Sequence, residues 1–477
     1  MASSINNYEM VIGLEVHIEL KTASKIFCSC PTTFGAEPNT QCCPICLGIP
    51  GTLPVLNEQV VNYAVMAGVA TNCQIAPLSK LDRKSYFYPD LPKAYQNSQY
   101  YLPICQNGYI DIETEKGIGK RIGINRIHIE EDAGKLVHLE GKGTLIDYNR
   151  GGVPLIEIVS EPDIRSAEEA NAYLRKLRAI LLYTGVSDCK MNEGSMRCDV
   201  NLSVRKKGAT ELGTRTEMKN LNSFQFITKA IEYEFQRQVE AVESDEVIVQ
   251  ETRRFDQAAG KTLSMRRKED ANDYRYFPDP DLAPTRISSE MLKELTSRIP
   301  VLPDQRKIEY IERYGLTSYA AEQITSRKEI ADYFEEVLQN TSYSVLAASL
   351  IQTEVLRLLT QDEISIPVSA NNFASLAQLT GDGTINSSTC KKVLSILWEN
   401  DQDPVELIRK EGLEQINDKV TLRQIAVQVI SEQPKLTEDY KKGKTAVMQA
   451  LVGQCMKKTS GRGNPVILQE IFAELLQ

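Results

Sequence analysis

Between Tyr8 and Leu20 the chain reads Y-E-M-V-I-G-L-E-V-H-I-E-L, and from Leu14 onward apolar and polar residues alternate without a break. Successive side chains on a strand point to opposite sides. Leu14, Val16, Ile18 and Leu20 therefore fall on one face, and Glu15, His17 and Glu19 on the other. Taken alone, the stretch also fits an ordinary half-buried strand with a solvated outer face.

The same design recurs. Arg126, His128 and Glu130 share a face of a second alternating segment, with Glu131 and Asp132 just beyond. Arg197, Asp199, Asn201, Ser203 and Arg205 share a face of a third, and Arg215, Glu217 and Lys219 of a fourth. Each segment has an apolar side for packing and a side carrying carboxylates with Arg, Lys or His. Paired in one sheet, the polar sides would make a floor of mixed charge. Carboxylates and imidazole there suit a hard divalent cation such as Mg²⁺, and Arg and Lys suit phosphate oxygens. Phosphoryl transfer from ATP needs that combination. An exposed amphipathic sheet fits the pattern equally well.

The 477 residues suffice for two to four domains, and 42% hydrophobic with 25% charged residues describes a globular chain. No basic segment followed by an apolar one opens the sequence, and no apolar run is long enough to span a bilayer, so the expected compartment is the cytoplasm. A net charge of −9 argues against indiscriminate nucleic-acid binding while leaving room for a local basic patch. Five of the eleven cysteines, Cys28, Cys30, Cys42, Cys43 and Cys46, lie within nineteen residues. Cys28-Ser-Cys30, twelve residues, then Cys43-Pro-Ile-Cys46 resembles a zinc knuckle, whose four thiolates leave no open position for water and make the site structural. Cys42 can replace Cys43, and a cluster of unligated thiols is the alternative.

Residues 58–71 read as a helix. Residues 82–96, D-R-K-S-Y-F-Y-P-D-L-P-K-A-Y-Q, form a loop dense in aromatics, prolines and lysines, where Lys84 or Lys93 can be held over a phosphate. An echo occurs at Tyr274-Arg-Tyr-Phe-Pro-Asp-Pro-Asp281, and two adjacent arginines stand at Arg253 and Arg254. Ser166-Ala-Glu-Glu169 is a capping box opening a helix that ends near Gly185. Near Thr285 strand-like alternation gives way to helical periodicity, as in residues 326–339, which open with another S-x-x-E box at Ser326 and Glu329. A soft boundary lies near Asp403-Pro404. From Pro434 to Pro465 seven basic residues stand against two acidic ones, a positive patch that suits RNA phosphate, although a solvated helix face has the same composition. Gly260-Lys-Thr262 and Gly443-Lys-Thr445 lack the leading glycine of a P-loop, and only His17, His128 and His138 are present. Any ATP must be held by the sheet.

Long motifs then show a family likeness: G-L-E-V-H at 13–17, D-R-K-S-Y-F-Y-P-D at 82–90, H-I-E-E-D-A-G-K at 128–135, D-Y-N-R-G-G-V-P-L-I-E-I-V-S-E-P-D at 147–163 and M-R-C-D-V-N at 196–201. T-E-M-K-N-L-N-S at 216–223, E-T-R-R-F-D at 251–256 and D-Y-R-Y-F-P-D-P-D at 273–281 complete the set. Together they resemble the B subunit of the tRNA-dependent amidotransferase, end to end. The resemblance implies an α+β fold: an antiparallel-sheet catalytic domain resembling glutamine synthetase over residues 1–290, with the zinc knuckle at 28–46. An all-α domain over 291–403 and a helical YqeY-like tail over 404–477 follow. It implies ATP-dependent activation of the side-chain carboxylate of Glu-tRNA(Gln) or Asp-tRNA(Asn) to an acyl phosphate. Ammonia from an amidase subunit then displaces the phosphate, in a heterotrimer completed by a small linking subunit. The carry-over makes Glu15, His17, Glu130, Glu131 and Glu217, with Asp199, the Mg²⁺ set. Lys84, Arg253 and Arg254 become candidates for ATP phosphates, and Lys441, Lys442, Lys444 and Lys457 for tRNA phosphate. The knuckle cysteines Cys28, Cys30, Cys43 and Cys46 occur in only part of that family. A zinc-stabilised tRNA-binding scaffold without chemistry of its own is the competing reading.

Overall fold

The computed structural model describes residues 5–114, 117–139, 141–267, 273–359, 365–441, 444 and 447–476. The chain divides into two units, Met1–Leu302 and Pro303–Gln477.

The strands of the first unit are, in chain order, β1 (Tyr8–Glu19), β2 (Gln74–Ile75), β3 (Leu78–Ser79), β4 (Asp82–Ser85), β5 (Tyr95–Ser98), β6 (Cys105–Glu113), β7 (Gly119–Glu131), β8 (Lys135–Leu139), β9 (Gly143–Asp147), β10 (Pro154–Ser160), β11 (Met196–Lys206), β12 (Thr216–Lys219), β13 (Glu251–Asp256), β14 (Lys261–Arg267), β15 (Phe277–Pro278) and β16 (Thr285–Arg286). Nine of them form one sheet in the order β14-β13-β12-β11-β1-β10-β7-β6-β2, antiparallel throughout except for the β12–β13 pair. The four segments singled out by their alternation are thus β1, β7, β11 and β12, and β1 is the middle strand. A smaller sheet, β15-β4-β5, joins the two aromatic segments.

The apolar side of the large sheet makes the core. Ile12, Leu14, Val16 and Ile18 of β1 are buried with Ile127, Ile129, Ile156, Ile158, Val200 and Leu202 from the flanking strands. Leu174, Leu177 and Leu181 of α2 (Ala167–Thr184) and Ile227 and Ile231 of α3 (Phe224–Glu243) join the same cluster, as do Val60, Ala64 and Val65 of α1 (Glu58–Ala70). Each such side chain stabilises the fold by roughly 1.5–3 kcal/mol. The helices start where short polar residues can take an orphan amide. Asn57, Ser166 and Ser223 accept from Gln59 N, Glu169 N and Phe226 N, and Gly185 at φ 70° closes α2. The expected capping box at Ser166 is half displaced, because the Glu169 carboxylate accepts from Arg165 N. α4 (Ser289–Ser297) belongs to the first unit through buried Leu295.

The second unit is helical among its described residues. The S-x-x-E expectation at Ser326 fails: the helix Lys328–Leu338 begins after Arg327, and the Ser326 hydroxyl donates back to Gln323 O. Helices from Lys419 to Leu475 share a core of Leu422, Ala426, Val429, Leu451, Leu468 and Phe472. No helix among the described residues is long and apolar enough to cross a membrane.

Candidate active site

Register decides what meets on the polar side of the sheet. His17 of β1 lies opposite Glu157 of β10, and Glu157 lies opposite His128 of β7. A carboxylate therefore stands between two imidazoles, with Glu157 Oε2 3.5 Å from His17 Nε2 and 3.2 Å from His128 Nε2. Glu130, two residues along from His128 and so on the same face, places Oε1 3.2 Å from His128 Nε2 and Oε2 3.9 Å from His17 Nε2. Ser98 of β5 donates to Glu130 at 2.8 Å, and Gln96 adds a longer bond at 3.4 Å. His128 is fully enclosed, and its Nδ1 is buried without a hydrogen-bond partner. Burial disfavours a charged imidazole. Glu157 and Glu130 outweigh it, so His128 is pushed up to about 9 and His17 is raised in the same direction. Burial raises both carboxyls too, yet His128 and His17 hold Glu157 well below, and His128 with Lys84 holds Glu130 below, the ordinary Glu range.

A second group shares β1. Glu15 stands opposite Asp199 of β11, and Glu217 of β12 completes the set. Asn201 Nδ2 donates to Glu15 at 3.0 Å, Thr252 Oγ1 to Glu217 at 2.7 Å, and the Lys219 ammonium contacts Asp199 and, at 3.1 Å, Glu217. Burial and then the charges of Glu157, Glu217 and Asp199 raise the Glu15 carboxyl, with Lys219 opposing. Within each group, His17–Glu130–Glu157 and Glu15–Asp199–Glu217, one ligand atom per residue lies within 4.8 Å of the others. Carboxylate oxygens, joined in the first group by one imidazole, fit a hard divalent cation.

Lys84 enters from β4. Its ammonium lies 5.0 Å from the Tyr274 ring centre and 5.9 Å from that of Tyr86. Burial pushes it down, but Glu130, Tyr86 and Glu157 more than restore it, so it stands raised beside the first carboxylate group.

Other expected residues go elsewhere. Glu131 follows Glu130 on the strand and so points to the opposite side. Its carboxylate takes the Lys93 ammonium and Asn97 N, at the edge of a cavity of about 170 Å³ also lined by Lys25, Phe27 and Cys46. It joins neither ligand group. Arg253 is likewise turned away. It lies opposite buried Met218, and its guanidinium bonds Glu251, Thr262 and, at 3.3 Å, Glu234 of α3. Arg254, one residue on, is exposed and stands opposite Lys219. Cys28, Cys30, Cys43 and Cys46 come together with their sulfurs within 4.8 Å and can hold a metal, whereas Cys42 turns its sulfur to Asn149 Oδ1 at 3.8 Å. Of the tail lysines, Lys444 pairs with Asp439 at 3.1 Å and Lys457 is exposed in the last turn of the helix Val447–Lys458. Lys441 ends the helix Pro434–Lys441, and Lys442 lies outside the described residues.

Sequence pattern alone leaves Glu157 unassigned, although its signal is there. Ile156-Glu157-Ile158 has the same apolar–polar–apolar form as Val16-His17-Ile18 and Ile127-His128-Ile129.

Residues 10–293 match the GatB/GatE catalytic domain, and residues 332–476 match the GatB domain. A protein of Caldicellulosiruptor saccharolyticus, named as the B subunit of an aspartyl/glutamyl-tRNA(Asn/Gln) amidotransferase, is 56% identical over 477 residues, covering 98% of this chain and 99% of the relative. Proteins of the same name from Caldanaerobacter subterraneus subsp. tengcongensis and Geobacter sulfurreducens are 54% and 50% identical, over 98% and 99% of this chain and 99% and 100% of theirs. With nearly its whole length so matched, the chain belongs to the family of aspartyl/glutamyl-tRNA(Asn/Gln) amidotransferase B subunits.

Proposed function

We propose that this chain performs the ATP-dependent amidation of mischarged tRNA. The side-chain carboxylate of Glu on tRNA(Gln), or of Asp on tRNA(Asn), attacks the γ-phosphorus of ATP. The bond to the bridging oxygen breaks, ADP leaves and an acyl phosphate forms. Ammonia then attacks the acyl carbon, phosphate departs, and the nitrogen loses a proton to give the amide. The observation that carries this reading is the pair of ligand groups that share strand β1, with Glu15 in one and His17 in the other.

Bound there, Mg²⁺ would neutralise the charge that develops between donor phosphate and acceptor carboxylate. His17, Glu130 and Glu157 would hold one position, and Glu15, Asp199 and Glu217 the other. Lys84, raised and flanked by Tyr86 and Tyr274, would meet a phosphate, and exposed Arg254 would be the arginine that reaches the nucleotide. Arg253 and Glu131 take no part in this reading, since each is engaged away from the two groups. The antiparallel floor is likened to that of glutamine synthetase, which runs the same acyl-phosphate chemistry. Zinc on Cys28, Cys30, Cys43 and Cys46 would brace the loop beside β1. Lys441, Lys442, Lys444 and Lys457 in the segment from Pro404 onward would meet tRNA phosphate. Ammonia would come from an amidase subunit, joined through a small linking subunit, in the cytoplasm.

The test is amide formation by the assembled subunits with ATP, Mg²⁺, an ammonium salt and Glu-tRNA(Gln). Glu15→Ala and Glu130→Ala should abolish it while tRNA binding persists. Amidation at the unmodified rate in either variant would leave the chain a tRNA-binding scaffold.

A further inference from the structure

The two aromatic segments noted in the sequence are brought together across roughly two hundred residues. Phe277 of β15 pairs with Arg83 of β4, and Ser85 N donates to Tyr274 O at 2.9 Å. The result is a continuous wall of rings. Tyr86 meets Tyr274 edge-on at 5.8 Å, Tyr274 meets Tyr276 edge-on at 6.1 Å, and Tyr276 stacks on Tyr100 at 4.3 Å with 14° between planes. Arg275, between the second and third rings, takes a left-handed φ of 47°, which a side chain rarely adopts. Rings of this size are normally buried, yet Tyr100 keeps 48% of its surface exposed.

The wall adjoins the site. Lys84 reaches over two of its rings, and Glu130 and Glu157 are among the charges that, after burial, raise the Tyr276 hydroxyl. A rigid aromatic surface beside an ammonium and a set of cation ligands suits a planar base whose phosphates or ester lead into the carboxylates. Both substrates of the proposed reaction carry such a base, and in both it is adenine: that of ATP, and that of the 3′-terminal adenosine to which the amino acid is esterified. We propose that the parallel pair Tyr276 and Tyr100, backed edge-on by Tyr274 and Tyr86, forms a stacking platform for an adenine ring, held in line with Lys84. This rests on the functional reading above.

Two preferences, measured on the assembled complex, test it. One is the affinity for uncharged tRNA relative to the same tRNA lacking its terminal adenosine. The other is the affinity for ATP relative to inorganic tripolyphosphate. Tyr276→Ala and Tyr100→Ala should each reduce one of these preferences about tenfold, and Tyr276→Phe should restore it, because the ring and not the hydroxyl does the stacking. Loss in the tRNA arm assigns the platform to the terminal adenosine, and loss in the ATP arm assigns it to the nucleotide. Both preferences unchanged, Tyr276→Phe behaving like Tyr276→Ala, or failure of the alanine variants to co-purify with the other subunits would each overturn the platform. Unmodified complex, assayed in parallel for amide formation, keeps the two readings apart. Absence of amide there counts against the reaction, whereas normal amidation with unchanged preferences counts against the platform alone.

Discussion

Arg83 binds Asp279 through two hydrogen bonds, Nε to Oδ2 at 2.9 Å and Nη2 to Oδ1 at 3.2 Å, across 196 positions of sequence. The Asp279 side chain is fully buried, accepts a third bond from Asn97 Nδ2 at 2.7 Å, and its carboxyl is held below the ordinary Asp range despite burial. Removing the guanidinium leaves a buried carboxylate without its counter-charge. Arg83→Ala is expected to cost about 3–5 kcal/mol. Arg83→Lys, which cannot make a bidentate contact, should fall between. Urea unfolding measures both, and a loss under about 1 kcal/mol for Arg83→Ala would show that the clamp does not hold the two segments.

Glu157 supplies the oxygen between two imidazoles. Glu157→Gln keeps the shape and removes the charge, so amide formation should drop by about one to two orders of magnitude, in line with loss of a cation ligand's orienting group. Glu131→Gln, by contrast, disturbs only the Lys93 and Asn97 contacts and should cost less. Initial rates at saturating ATP and tRNA separate the two, and the reverse ranking would mean that Glu131 swings into the site.

The cysteine cluster distinguishes neighbours. Cys43→Ser should empty the purified protein of zinc, measured by elemental analysis, and Cys42→Ser should leave one equivalent in place, because the Cys42 sulfur faces Asn149. Equal retention in both variants would remove Cys43 from the ligand set.

Glu234 sets a pH dependence of stability. Burial opposes its ionisation, but Arg237, Gln238 and Thr262 outweigh burial and hold its carboxyl below the ordinary Glu range. A carboxyl lowered in the native state adds stability that is complete above the unfolded value of about 4.3. That stability is lost as pH falls through the lower native value. Urea midpoints of the unmodified chain should therefore decline more steeply below that pH than those of Glu234→Gln. At pH 7 the variant should be less stable by about 2–3 kcal/mol. Parallel pH profiles would exclude this linkage.

Much of the sheet is legible in advance because period-two alternation has a direct physical meaning. Leu14, Val16 and Ile18 are buried to the last percent while Glu15 and His17 face the other way. The same rule, applied more strictly, separates residues that a shared motif groups together. Glu130 and Glu131, and Arg253 and Arg254, are adjacent pairs within strands β7 and β13. Neighbours on an extended chain cannot serve one face. Glu157 is hidden for the opposite reason, since a single acid inside P-L-I-E-I-V-S reads as a blemish in a buried strand until its cross-strand partners are known. The Arg83–Asp279 clamp and the stacking of Tyr100 on Tyr276 depend on contacts far apart in sequence, which no local pattern encodes.

The His17–Glu157–His128 row has one more consequence. It exists only while the two ladders that join three adjacent strands keep phase, and the β7–β10 ladder already slips between Val159 and Ser160, two residues past Glu157. Deleting a single residue upstream in any of these strands would invert it, presenting grease to the substrate and acids to the helices. Length changes in this molecule are therefore expected to be tolerated in the connections and to be lethal in the central strands, whatever residues are swapped in to compensate.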